Sequence, residues 1–171
     1  YVTKQGMVLN ALKDDIPVQG RIAGGVRAIK LEKDDEVVSM ELVEPGQELL
    51  VVTQKGFGKR TKVEEYKIQV RGGKGLLTYD KAKFKKTGEL VGAIVVDDED
   101  DVMLINSDGI IIRMQAKEIS KLGRATQGVK IMNVKEDTNI ISLAKVARQD
   151  ELEKEIKEEL EPQDGQQMVL K

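Results

Sequence analysis

Val52-Thr53-Gln54-Lys55-Gly56 has Arg71 fifteen residues beyond its glycine and Gly75 nineteen beyond it. This pattern decides how the 171-residue chain folds, because it occurs twice more. Val2-Thr3-Lys4-Gln5-Gly6 is followed at the same offsets by Arg21 and Gly25, and Ile105-Asn106-Ser107-Asp108-Gly109 by Arg124 and Gly128. The turn glycines step by 50 residues and then by 53. The three extra positions fall in the lysine-rich stretch after Gly75, because Glu36-Val37-Val38, Glu89-Leu90-Val91 and Asn139-Ile140-Ile141 align again beyond it. An apolar pair running into a glycine turn reads as a strand entering a hairpin, and a fixed period reads as a repeat architecture.

Short β-branched runs such as Val37-Val38, Ile94-Val95-Val96 and Ile110-Ile111-Ile112, punctuated by Gly, Asp and Asn, give about four strands per copy. A four-stranded repeat of this length predicts propeller blades, each sheet burying its faces against its neighbours. The rival reading is a β-sandwich of unequal hairpins. The expectation is an all-β chain of three four-stranded propeller-like blades over residues 1–50, 51–101 and 102–147, forming a partial or half ring, with an acidic tail over 148–171. Closed propellers have more blades, so two end faces are left to be covered.

Composition narrows the chemistry. With 40% apolar residues the chain can build a core, but 3% aromatic residues and no tryptophan supply few base-stacking platforms. No cysteine and no histidine are present, so disulfides, thiolate sites and the usual general base and metal ligand are unavailable. No catalytic residue, metal site or cofactor is expected. Without a signal peptide or an apolar run of membrane-spanning length, the expected location is cytoplasmic, with no membrane partner. The net charge of −2 conceals an asymmetry: residues 51–88 carry 11 basic and 3 acidic side chains, whereas residues 147–171 carry 4 and 8. The first stretch is a candidate polyanion surface.

Within it, Gln69-Val70-Arg71-Gly72-Gly73-Lys74-Gly75 closely resembles the box motif Gln-Arg-Arg-Gly-Gly-Lys/Arg-Gly of the DNA gyrase A C-terminal domain family. Val52–Gly56, Lys59-Arg60-Thr61, Asp101–Gly109 and Gly123–Val129 resemble the same family's blades, so the likeness covers residues 1–147. It implies a β-pinwheel, a six-bladed propeller-like ring whose basic rim wraps double-stranded DNA. It also implies a nucleoid-associated protein working with the remainder of gyrase A and with gyrase B to supercoil DNA. Val70 stands where the motif has arginine, and the motif lies one blade before the last. The loop therefore reads as a degenerate copy, and the chain as the closing three blades. The topoisomerase IV counterpart, with a broken ring, is the alternative within the family, and a propeller-type protein-interaction module is the alternative outside it.

DNA contacts are expected from Arg71, Gly72, Gly73, Lys74 and Gly75 in the loop and from Lys55, Lys59, Arg60 and Lys62 in the hairpin before it. Repeat equivalence adds Lys4, Arg21 and Arg27, then Arg113, Arg124 and Lys130. Cations on one rim neutralise phosphates and release counterions, arginine can fork onto a phosphate, and glycine lets backbone amides approach one. Each has a plainer reading: glycines for hairpin turns, and charge runs such as Lys81, Lys83, Lys85 and Lys86 as solvated faces. The acidic run Asp97–Asp101 lacks calcium-loop spacing and reads as a connector between blades. Tyr1, Tyr66 and Tyr79 read as packing residues. In the tail, Leu152, Ile156 and Leu160 form one helical stripe before Pro162, either a solvated extension or an acidic arm competing for the basic rim. Self-association of two half rings would cover the end faces.

Overall fold

In the computed structural model, which describes residues 1–146, the chain forms three antiparallel sheets stacked in sequence order. The helical and acidic-arm readings of the tail lie outside the described residues.

The middle sheet shows what holds the stack together. Its strands β4 (Glu48–Thr53), β5 (Phe57–Lys62) and β7 (Leu90–Val96) pair around the Gly56 turn. Leu49-Leu50-Val51-Val52 is a continuous apolar run because β4 is buried on both faces. Leu49 and Val51 point into one core with Val2, Val8, Tyr66, Tyr79 and Leu90. Leu50 and Val52 point the opposite way, into a second core with Val102, Leu104, Ala116, Ile119 and Ile140. The strand's period-two alternation thus joins the middle sheet to both neighbours. Each fully buried Val or Leu contributes about 1.5–3 kcal/mol relative to exposure.

The first sheet holds β1 (Val2–Thr3), β2 (Met7–Val8) and β3 (Val37–Ser39), and the third holds β8 (Asp101–Asn106), β9 (Ile111–Gln115) and β11 (Ile140–Val146). Two further strands cross between repeats. β6 (Leu76–Leu77), in the second repeat, pairs with β2 of the first sheet, and β10 (Val129–Lys130), in the third repeat, pairs with β5 of the middle sheet. Strand order is therefore β3-β1-β2-β6, then β10-β5-β4-β7, then β11-β8-β9. The second and third repeats each hold the expected four strands, β4 to β7 and β8 to β11, but the four do not share one sheet: the fourth strand of each of the first two sheets comes from the repeat that follows, and among the described residues the third sheet has three strands.

The joint between repeats is built by the glycine at the end of the motif. Gly75 has φ +81° and Gly128 φ +80°, and a Cβ at these positions would stand 2.5 Å from the carbonyl oxygen of Val8 and 2.7 Å from that of Gly58. Only glycine lets the crossing strand approach its acceptor this closely. Ahead of each joint the chain makes a parallel bridge, Asn10 with Ile68 and Arg60 with Lys121. The Gln69 N–H donates to the Asn10 carbonyl and the Leu122 N–H to that of Arg60, each at 2.8 Å.

A short helical segment, residues 81–83 followed by α1 (Phe84–Thr87), sits between β6 and β7 and holds the three extra residues of the second repeat. The Asp80 carboxylate accepts from the Ala82 N–H at 3.1 Å and starts it. Phe84 seats it by stacking on Tyr79, with ring centroids 5.5 Å apart. Among the described residues no helix is long and apolar enough to cross a membrane.

Candidate nucleic-acid interface

Sorting the cations by what their side chains already hold separates three groups. Lys59 and Arg60 belong to the first, and here the structure corrects the sequence reading, because both are fully buried. The Lys59 ammonium donates to the Gly123 carbonyl at 2.7 Å, and burial pushes its pKa down to about 8, against the pull of Glu65. The Arg60 guanidinium donates to the Ile119 carbonyl and to Glu48 Oε2, each at 2.8 Å, and also to Asp98. Lys121 closes the network, 2.9 Å from Glu48 Oε1 and 3.1 Å from Asp98 Oδ1. Hydrogen bonds from Arg60 and Lys121 hold the Asp98 carboxyl below the ordinary carboxylate range. A buried guanidinium engaged in this way cannot turn out to a phosphate without giving up Glu48, Asp98 and the Ile119 carbonyl and leaving Glu48 to Lys121 alone. Neither side chain is available to DNA.

The second group is accessible but committed. Arg71 donates to the carbonyls of Arg27 at 2.6 Å and Asp15 at 3.2 Å, so it fastens the first repeat to the second. The loop's backbone does the same, the Gly72 N–H donating to the Ala28 carbonyl at 2.7 Å and the Gly73 carbonyl accepting from the Lys30 N–H at 2.8 Å, while the Gly73 N–H closes a turn within the loop on the Val70 carbonyl at 3.3 Å. The Gly72 amide and the Arg71 guanidinium, expected to face phosphate, therefore hold the neighbouring repeat, and Gly75 lies in the joint itself. Lys55 donates to the carbonyls of Glu136 and Thr138. Lys4 pairs with Glu36 at 2.9 Å and lies 3.8 Å from Glu89. Arg113 forks onto Asp101. At Arg124 only the backbone N–H is committed, donating to Glu65, and the half-buried side chain makes no ion pair among the described residues. Lys74 meets Glu32 at 3.0 Å, with both side chains more than half exposed. Solvent-screened pairs of that kind are worth about 0–1 kcal/mol, so Lys74 can exchange Glu32 for a phosphate at little cost.

The third group is exposed and makes no ion pair among the described residues: Arg21, Arg27, Lys62 and Lys130, together with Lys83, Lys85 and Lys86 on the short helical segment. Two of them converge. Lys86 from α1 and Lys130 from β10 both lie over the Phe57 ring, 5.4 Å and 5.5 Å from its centroid. Lys130 is held there because it is the register partner of Phe57 across the inter-repeat joint. The ring attracts each ammonium by about 0.5–1 kcal/mol and so gathers a cation from each of two repeats at one aromatic side chain. Lys130 was legible from the repeat. Lys86 was visible only as one of a run, because nothing in its own neighbourhood of sequence brings it to Phe57.

The acidic run Asp97–Asp101 also gains a role. It lies between β7 and β8, and Asp98, Asp100 and Asp101 each take a cation of the chain, namely Arg60 with Lys121, Lys145 and Arg113. It neutralises part of the basic stretch internally. Tyr66 and Tyr79 are buried in the core between the first two sheets.

The family described as "DNA gyrase C-terminal domain, beta-propeller" matches residues 2–44, 47–97 and 100–147. Among curated proteins, the A subunit of DNA gyrase from Mycolicibacterium smegmatis is 40% identical over 156 residues, which cover 90% of this chain and 18% of that protein. Its counterpart from Kosmotoga olearia is 40% identical over 152 residues, covering 88% and 18%. The chain thus spans less than a fifth of the length of these relatives. Among solved structures, the C-terminal domain of a DNA topoisomerase IV is similar with a TM-score of 0.85 at 23% identity, covering 93% of this chain and 50% of that one. A DNA gyrase A C-terminal domain is similar with a TM-score of 0.74 at 24% identity, covering 85% and 49%. At these identities the structural likeness speaks for the fold.

Proposed function

Because this chain belongs to the DNA gyrase C-terminal β-propeller family, we propose that it binds double-stranded DNA without reading its sequence and bends it along a cationic rim. The three repeats 1–50, 51–101 and 102–147 act as blades in this reading. They serve a gyrase A protein whose remaining parts, with gyrase B, carry out strand passage and supercoiling beside the nucleoid, so the chain itself performs no chemistry.

The observation that carries this reading is the pair Lys86 and Lys130 over Phe57, continued by Lys83 and Lys85 on the same helical segment. These cations come from two repeats, are exposed, and have no carboxylate partner among the described residues. Phosphates along one duplex can take them together. Lys62, Lys74, Arg21 and Arg27 extend the surface. Bending 20–30 base pairs by 40–90° costs about 1–6 kcal/mol, which several such phosphate contacts offset.

The test is binding to a linear duplex over a range of salt concentrations. Affinity should fall steeply with salt, and the double substitution Lys86→Ala, Lys130→Ala should flatten the slope of log K against log salt by about 0.9 for each phosphate no longer neutralised. Absence of binding at low salt would overturn the function. An unchanged slope in the double variant would overturn the assignment of this surface. Curated relatives near 40% identity favour the gyrase setting over topoisomerase IV.

A further inference from the structure

The short helical segment 81–87 carries a lysine to each of the two joints inside the chain. Near its end, Lys86 meets Lys130 of the third repeat over the Phe57 ring. At its start, Lys81 belongs to a second gathering of cations, at the joint between the first and second repeats. There the Lys74 ammonium lies 3.0 Å from Glu32 Oε1, and the charges of Lys81 and Lys30 act on the same carboxylate. Glu32 and Lys30 come from the first repeat, Lys74 and Lys81 from the second, and all four residues are exposed.

The main chain fixes this arrangement from both sides. The Lys30 N–H donates to the carbonyl of Gly73, the residue before Lys74, at 2.8 Å, and the Gly72 N–H donates to the Ala28 carbonyl at 2.7 Å. Lys30 and Lys74 therefore stand on backbone that is hydrogen-bonded across the joint. Lys81 opens the segment that the Asp80 carboxylate caps through the Ala82 N–H. The two gatherings differ in what sits among the cations. Phe57 carries no charge, so its ring draws the ammonium groups together and leaves both charges to an incoming anion. Glu32 carries a charge of its own. The hydrogen bond from Lys74 comes first, then the charges of Lys74, Lys81 and Lys30, and together they hold the Glu32 carboxyl below the ordinary carboxylate range. A phosphodiester, like a carboxylate, presents one negative charge on two oxygens, and ammonium groups bind both through the same charge-assisted hydrogen bonds.

We propose that Lys30, Lys74 and Lys81 form a phosphate site at the first joint, that Glu32 occupies it in the free protein, and that a phosphodiester of the duplex displaces Glu32. The site rests on the reading of this chain as a DNA binder and adds to it an internal competitor: the second joint is open to the duplex, the first is masked, and Glu32 lowers the affinity of the rim. Displacement is feasible because the Lys74 and Glu32 side chains are 62% and 53% exposed, so solvent already screens their attraction.

Binding of the 171-residue chain to a linear duplex, followed by fluorescence anisotropy across a salt series, tests the site. Glu32→Gln keeps the size of the side chain and removes its charge. It should bind about two- to fivefold more tightly, and its slope of log K against log salt should steepen by up to about 0.9, since one more phosphate is met by a lysine with no internal partner. A gain in affinity cannot come from a chain that fails to fold. Removing any negative charge favours DNA to some degree, so the deciding comparison is made in a Lys74→Ala background, where Glu32→Gln should give less than about half of that gain. An equal gain in both backgrounds would overturn the masked site. So would a native chain that binds DNA and a Glu32→Gln variant that binds it no better, a result that leaves the DNA reading intact. A native chain that binds no duplex at low salt would overturn the DNA reading, and this site with it.

Discussion

Replacing Arg60 by alanine separates a structural cation from a DNA-binding one. The guanidinium is 2% exposed and holds Glu48, Asp98 and the Ile119 carbonyl together across β4, β5 and the loop before β8. Removing one partner of a buried ion pair typically costs about 3–5 kcal/mol, because the other charge is left without compensation. Here Lys121 remains 2.9 Å from Glu48, and Asp98 is half exposed, so the lower end applies. A loss near 3 kcal/mol corresponds to a fall in Tm of roughly 6–12 °C for a chain of this size. Urea or thermal unfolding followed by circular dichroism measures it. With the variant kept well below its transition, the salt slope of DNA binding should equal that of the native chain. A variant of native stability that binds DNA with a reduced slope would refute the reasoning, because Arg60 would then be exchanging its carboxylates for phosphate.

Gly75→Ala places a Cβ 2.5 Å from the Val8 carbonyl in a left-handed conformation, and should cost more than about 2 kcal/mol, measured by denaturant unfolding. Lys59 has its pKa lowered by burial from 10.5 to about 8, so the unfolded chain binds more protons between these values. The native chain should therefore gain stability relative to Lys59→Met as pH rises from about 8 toward 10.5, and a flat difference across that window would count against a charged, buried Lys59. Arg71→Ala frees the carbonyls of Arg27 and Asp15. Faster hydrogen exchange of the Lys30 and Gly72 amides, which bridge the same two repeats, should follow.

The repeat was legible because glycine offsets and β-branched runs are local signals, and they placed Val52, Gly56 and Ile105 at hairpin entrances as observed. Ownership of the fourth strand was not. Leu76-Leu77 and Val129-Lys130 are two-residue strands whose partners lie in another repeat, and nothing in so short a run says which edge it joins. The candidate site divided along a similar line. Lys62, Lys74 and Lys130 were visible as cations and are exposed. Lys59 and Arg60 were counted alike with them, because charge density along a chain does not distinguish a side chain on the rim from one beneath Gly123 and Ile119. Arg71 drew notice through a motif, and its geometry binds it to carbonyls of the preceding repeat.

The crossing strands put the inherited unit and the folded unit out of phase. Each of the second and third repeats sends a strand from its middle into its predecessor's sheet before returning to its own, so a newly added repeat arrives carrying half of the junction it needs on either side. Blade number can then grow or shrink through gain or loss of whole copies with every interior seam left correct, and selection has only the two outermost seams to repair. Exchanging a single repeat between relatives is harder: the newcomer must suit the acceptor strand before it, as Gly75 suits Val8, and offer its own to the glycine that follows.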